Sequence, residues 1–299
     1  MSWALWASYA VLCLSAGPAE GRPLAVSASS SGWMSVKRAE LMVAISMALG
    51  VLFGGRLSLT IGTVILEEPA IDLLSLISAA VTLLFLLSKS VPVSISQIVL
   101  SSVIGFAVAS GYLSSYISSQ ALFWFISPLM VFLITPFAYR LLEWVIRRAT
   151  SVEALNRTLK VSIDLSLILL AFWRGVNLGG ILTGVVTTTS GSELAILTAV
   201  LVLASCLFTP GFLVFKNDMT YYPDPAAYAS RALSSLIGVW TGLVFRITAS
   251  FTQLFYASDL YFRSRMLVGR GHVARKLLIS WAPALCSGVL AIALFVLHV

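Results

Sequence analysis

Short polar interruptions punctuate a chain that is otherwise apolar. One apolar segment starts at Leu41, is interrupted at Gly54-Gly55-Arg56, resumes through Leu57 to Leu66 and stops at Glu67-Glu68-Pro69. Ile71 to Leu87 and Val99 to Leu113 follow, then an uncharged serine-rich turn and the run Ala121 to Tyr139. In the second half, Ser162 to Trp173 reads as broken at Arg174-Gly175-Val176-Asn177 and continued by Leu178 to Val186. Leu194 to Phe215, a polar loop over Lys216–Pro225, Ala226 to Phe245 and Leu277 to Leu297 complete the pattern. A helix needs about 20 apolar residues to cross a bilayer. The pattern therefore predicts an all-α polytopic membrane protein with roughly eight to ten membrane elements, some of them half-length.

Two of the interruptions are near-copies. Val91-Pro92-Val93-Ser94-Ile95-Ser96-Gln97-Ile98 reappears 156 positions later as Ile247-Thr248-Ala249-Ser250-Phe251-Thr252-Gln253-Leu254. Each places two small hydroxyl residues and a glutamine inside apolar sequence. Duplicated polar breaks are the trace of a transporter built from two repeats, with its site where broken helices meet. A fainter likeness aligns Phe53–Thr63 with Gly175–Val185 at an offset of 122, which leaves the first half short of the second by about one helix and a loop. The repeats read as inverted. The expected division is an N-terminal hydrophobic segment and linker over 1–36, a first repeat over 37–139, a basic loop over 140–161 and a second repeat over 162–299.

Composition supports a membrane setting. Only 10% of the 299 residues are charged and 59% are hydrophobic, against about 25% charged in a soluble domain; the mean hydropathy is +0.98. The net charge of +7 is concentrated in two stretches. One holds Arg140, Arg147, Arg148, Arg157 and Lys160; the other holds Arg263, Arg265, Arg270, Arg275 and Lys276. Short basic loops between spans stay in the cytoplasm, so these clusters speak for orientation in a cell membrane and against nucleic acid.

Cys13, Cys206 and Cys286 are scattered through apolar sequence with no metal-binding spacing. Neither His272 nor His298 sits beside acids. No metal, cofactor or enzymatic chemistry is expected. Met1 to Ala19 is uncharged and apolar; it reads as a signal-like segment without the basic start, a short span, or an over-extended start ahead of Met34. A peripheral hydrophobic segment is the preferred expectation.

Val91 to Gly105, with its Pro92-Val93-Ser94, and Arg275 to Leu297, with its Trp281 and Pro283, resemble the inorganic phosphate transporter family. In that family each half carries a Gly-Ala-Asn-Asp segment followed by a Pro-Val-Ser-Thr-Thr-His segment. The resemblance implies a secondary permease for inorganic phosphate that works by alternating access, with Na+ or H+ as coupling ion. The second Asn-Asp segment falls on Asn177-Leu178, the first on Gly55-Arg56, and both histidines are glutamines here, Gln97 and Gln253. Candidate substrate-binding residues are Ser94, Ser96, Gln97, Ser250, Thr252, Gln253, Arg56 and Asn177. Arg174 is expected at an interface, with Asp164 as its partner or a proton carrier. The alternatives are a non-transporting structural or sensing relative and a permease for another oxyanion such as sulfate. The bilayer is the expected surrounding, and a homo-oligomer is allowed.

Overall fold

The computed structural model describes residues 3–56, 69–89, 91, 93–111, 115–186, 191–208, 224–245, 247, 249–266 and 270–298. Among them all regular structure is helical, as a chain in lipid requires when every backbone group must be satisfied within its own segment. The first half comprises α1 (Trp3–Leu14), a π-helical turn (Gly17–Gly21), α2 (Arg22–Ser29), α3 (Val36–Arg56), α4 (Pro69–Ser88), α5 (Ile95–Ala109) and α6 (Ser115–Ile146). The second comprises α7 (Val152–Val186), α8 (Gly191–Leu207), α9 (Pro225–Val244), α10 (Phe251–Met266), α11 (Arg270–Ile279) and α12 (Ala282–His298). Among the described residues, three stretches, Ser118–Ile146, Val152–Gly184 and Leu277–Leu297, are long and apolar enough to cross a membrane.

One offset relates the halves. Shifting α4 by 156 residues places its first and last positions on those of α9, and the same shift places Ile95 on Phe251, where α5 and α10 start. Helix packing follows the same rule. α1 packs on α4 and α7 on α9; α5 packs on α12 and α10 on α6; α6 packs on α9 and α12 on α4. The α3–α8 contact lies between the repeats and maps onto itself. The backbone leading into each duplicated tract is copied too. The Val91 N–H donates to the Leu86 carbonyl at 3.0 Å and the Ile247 N–H to the Gly242 carbonyl at 2.8 Å.

This symmetry corrects the second alignment. Gly175–Val185 is not the mate of Phe53–Thr63; a 156-residue shift carries it back to Ala19–Ser29, in the π turn and α2. The apparent one-helix deficit of the first half disappears with it. Among the described residues, Gly50 and Gly54 of α3 and Gly175 and Gly179 of α7 lie where the two helices pack face to face. A Cβ on Gly50 would sit 1.9 Å from the Phe172 carbonyl oxygen, one on Gly54 2.1 Å from that of Val176, and one on Gly175 2.2 Å from that of Met47. Gly50 and Gly54, like Gly175 and Gly179, are four residues apart, the small-residue spacing that lets membrane helices approach closely. The expected break at Arg174–Asn177 is therefore absent, whereas the one at Gly54-Gly55-Arg56 falls on the last described residues of α3. α3 continues to Arg56 and α7 runs unbroken from Val152 to Val186. Residues 57–68 and residues 216–223 of the expected polar loop Lys216–Pro225 lie outside the described residues, and its last residue, Pro225, opens α9.

Burial runs opposite to that of a soluble protein. Leu122, Phe125, Leu129, Leu133, Phe137 and Leu141 form an exposed stripe along α6, while Ser94, Gln97, Asn177, Arg174 and Arg231 are buried. An exposed apolar stripe suits a lipid-facing surface, and the buried polar side chains pack between helices beside a core that is itself largely apolar. The N-terminal segment, expected at the periphery, lies within this core: Leu12, Cys13, Ala16 and Leu24 are all inaccessible.

Gly175→Leu is expected to prevent recovery of folded protein, because the clash is with backbone that cannot rotate away, and overpacking of this kind costs about 1–3 kcal/mol or more. Gly32→Leu, at a position with open space but a positive φ of 79°, should be the milder of the two. Monodispersity in detergent checks the pair, and equal yields of the two variants would contradict the close α3–α7 crossing.

Candidate functional site

The two duplicated tracts end in helix N-termini that meet. Ser94 precedes α5 in an extended conformation (φ −118°, ψ 119°), and its hydroxyl does not cap its own helix. It lies 3.0 Å from the Ser96 hydroxyl. The Ser96 hydroxyl donates across to the Ala249 carbonyl at 3.4 Å, and the Thr252 hydroxyl donates back to the Val93 carbonyl at 3.0 Å. Under the 156-residue shift these two bonds exchange: Ser96 maps to Thr252 and Val93 to Ala249. The serine-bearing tracts are thus a symmetric pair in three dimensions as well as in sequence.

The pairing is incomplete at the glutamines. Ser250 donates to Gln97 Oε1 at 3.0 Å, but the Gln97 amide nitrogen and both amide atoms of Gln253 are buried without a partner. Asn177, from α7, donates to the Ala249 carbonyl at 3.3 Å, and its amide oxygen is buried and unpartnered as well. A buried amide with no hydrogen bond is costly, and three at one junction mark a place built to receive polar atoms from elsewhere. Six of the eight sequence candidates, Ser94, Ser96, Gln97, Ser250, Thr252 and Asn177, are joined by these bonds, and Gln253 is buried in the first turn of α10 beside Thr252. Arg56 is the last residue of α3, and its side chain lies outside what the structure describes.

Two charged residues differ from expectation, Arg174 at this junction and Asp164 away from it. Arg174 is 1% exposed, not a snorkelling residue, and its Nε donates to Glu20 Oε2 at 2.8 Å. Glu20, 3% exposed in the π turn, accepts with its other oxygen from the N–H of Ile95 at 2.9 Å, the first residue of α5. Asp164 pairs with Arg38 at 2.7 Å in a partly exposed position, away from Arg174. Glu20 escaped sequence reasoning because its segment was set aside as peripheral. The signal was present: the 156-residue shift that relates the serine tracts carries Arg174–Asn177 back onto Pro18–Gly21.

The π turn is held by close packing. The Gly17 N–H donates to Ser205 Oγ at 2.9 Å, and a Cβ on Gly17 would sit 2.1 Å from the Ser205 carbonyl oxygen. π turns inside α-helices recur at functional sites because they redirect a side chain; here the side chain delivered to the junction is that of Glu20. A second buried ion pair, also missed from sequence, lies further along. Arg231 donates to Asp259 at 2.9 Å and to Ser27 Oγ at 2.9 Å, with its guanidinium 4.5 Å from the Phe255 ring centre. It ties α9 and α10 to α2.

What the junction offers is a pair of facing helix N-termini, each with first-turn N–H groups that no intrahelical carbonyl can reach, together with hydroxyls, amides and one buried guanidinium. Positive dipole ends and free N–H groups favour an anion. A membrane-embedded, repeat-built protein whose helix N-termini converge on a buried polar junction has the architecture of a secondary permease. The model of the phosphate transporter family matches residues 24–253, more than half of the chain, and the protein belongs to that family. No curated protein matches it in sequence. Among solved structures, one described as "The sodium-dependent phosphate transporter" shares the fold, with a TM-score of 0.71, 16% sequence identity and 98% of each chain covered.

Proposed function

We propose that the chain carries inorganic phosphate across the cell membrane by alternating access and binds it at the junction of α5 and α10. The observation that carries this reading is the exchange-symmetric pair of bonds, Ser96 to Ala249 and Thr252 to Val93, around amides left without partners. The oxygens of phosphate accept hydrogen bonds, and the hydroxyls of Ser94, Ser96, Ser250 and Thr252 can rotate to donate to them. The amide nitrogens of Gln97 and Gln253 add two further donors. Neutral donors hold an anion without fixing it permanently, which suits a carrier that must release what it binds. Transport is coupled to a cation, Na+ or H+.

The test is uptake of labelled phosphate into proteoliposomes holding the full chain. Saturable uptake is expected, and sulfate, which carries no protons at neutral pH, should compete poorly. If the wild-type chain moved no phosphate under any ionic gradient, the non-transporting alternative would stand. Preferential movement of sulfate would reassign the substrate.

A further inference from the structure

The Glu20 carboxylate occupies the position that an anion would take at the α5 N-terminus. One oxygen accepts from the Ile95 N–H at 2.9 Å and the other from Arg174 at 2.8 Å. These are a helix-terminal amide and a guanidinium, the two donor types that recognise phosphate oxygens. We propose that Glu20 is a resident anion that phosphate displaces from Arg174 and Ile95, and that Glu20 takes up a proton as phosphate arrives. The inference rests on the permease reading and assigns it both a coupling residue and a coupling ion.

Electrostatics in a dry interior drives the exchange. A buried guanidinium needs a counter-charge in every state, because removing its partner leaves a charge that the interior cannot solvate. Two anions cannot share that guanidinium at close range, because like charges at such distances do not both stay ionised. In the empty carrier, Arg174 (+1) is balanced by the Glu20 carboxylate (−1). In the loaded carrier, Arg174 is balanced by dihydrogen phosphate (−1), and Glu20 holds a proton as the neutral acid. One proton and one dihydrogen phosphate enter together and leave together, and the site is neutral throughout.

The surroundings agree. Facing Glu20 are Arg174 from α7 and the Cys206 thiol from α8, whose Sγ would lie 2.7 Å from a Cβ on Gly21. On its own segment Arg22 is engaged with Glu40 of α3 at 3.7 Å. The facing ends of α5 and α10 contribute hydroxyls and amides and no titratable side chain between Val93 and Gln97 or between Ala249 and Gln253. Among the described residues, the charges that take part are then Glu20 and Arg174, together with the substrate.

The experiment uses full-length protein in sodium-free proteoliposomes with labelled phosphate and a trapped pH dye. Wild type should accumulate phosphate when the outside is acidified, and phosphate entry should acidify the lumen. A gradient of one pH unit supports about tenfold accumulation when one proton accompanies each anion. Glu20→Gln, a mimic of the protonated state, should lose this pH-driven accumulation but keep exchange of internal for external phosphate; Glu20→Asp should keep both. Phosphate uptake that needs sodium and leaves the lumen unacidified overturns the inference while leaving the permease reading intact, as does pH-driven accumulation by Glu20→Gln at the wild-type level. If Glu20→Gln does not fold, the wild type decides by whether dihydrogen phosphate accumulates about tenfold per pH unit without sodium, since dihydrogen phosphate entering by any route releases some proton in the lumen. No phosphate movement in any condition removes the permease reading and this inference with it.

Discussion

Replacing Arg174 with methionine should abolish phosphate uptake and also destabilise the protein, by about 3–5 kcal/mol, the usual cost of stranding one member of a buried ion pair. The stranded group is the Glu20 carboxylate, which would keep the Ile95 amide but lose its counter-charge. The diagnostic variant is the double one. Glu20→Gln together with Arg174→Met removes both charges, and the Gln amide oxygen can still accept from the Ile95 N–H. Replacement of a buried pair by neutral groups is often neutral or stabilising, so most of the stability should return while uptake stays absent. A double-mutant cycle on chemical denaturation, run beside labelled uptake, separates the two contributions. If Arg174→Met transported phosphate at the wild-type rate, the guanidinium would be structural and the anion would be held by neutral donors alone.

The sequence made the serine junction legible and hid the ion pair, for different physical reasons. A Ser-x-Ser-Gln or Ser-x-Thr-Gln tract in apolar sequence stands out because each polar group in a membrane needs a reason, and two copies at one spacing identify a repeat. Arg174 stood out as well, but its partner lies 154 residues earlier in the chain, and contacts across that separation follow from topology, which local pattern does not encode. Glu20 was masked further by its setting, since an uncharged apolar N-terminus imitates a targeting segment. The misplaced break at Arg174–Asn177 has a physical origin. Glycine in a helical pattern signals either an interruption or a close approach, and only the facing carbonyls of Phe172, Met47 and Val176 decide for approach. Once α3 is seen to lie against α7, the likeness between their glycine patterns is explained by complementarity instead of duplication. The buried serines were readable as candidates, but ordinary helix packing uses the same residues, as in the Ser78–Ser287 and Ser287–Ile98 bonds that fasten α12 to α4 and α5.

Gln253→Leu separates those two uses of polar residues. Gln253 is fully buried, and neither of its amide atoms has a hydrogen-bond partner. If it were only a packing residue, leucine would fill nearly the same space and relieve an unsatisfied amide that costs about 1–3 kcal/mol. The variant should therefore be as stable as wild type or more so. Its phosphate affinity should fall, because a hydrogen bond to a charged group contributes about 1.5–3 kcal/mol, or roughly ten- to a hundredfold in binding. Its symmetry mate behaves differently. Gln97 accepts from Ser250, so Gln97→Leu strands that hydroxyl and should lose stability and affinity together. The predicted contrast is a gain or no change in stability at 253 against a loss at 97, with uptake reduced in both, measured by thermal unfolding in detergent and by the concentration dependence of uptake. A Gln253→Leu protein that is both more stable and fully active would mean that the amide faces nothing the substrate touches, and the anion would then have to sit on the α5 side of the junction alone.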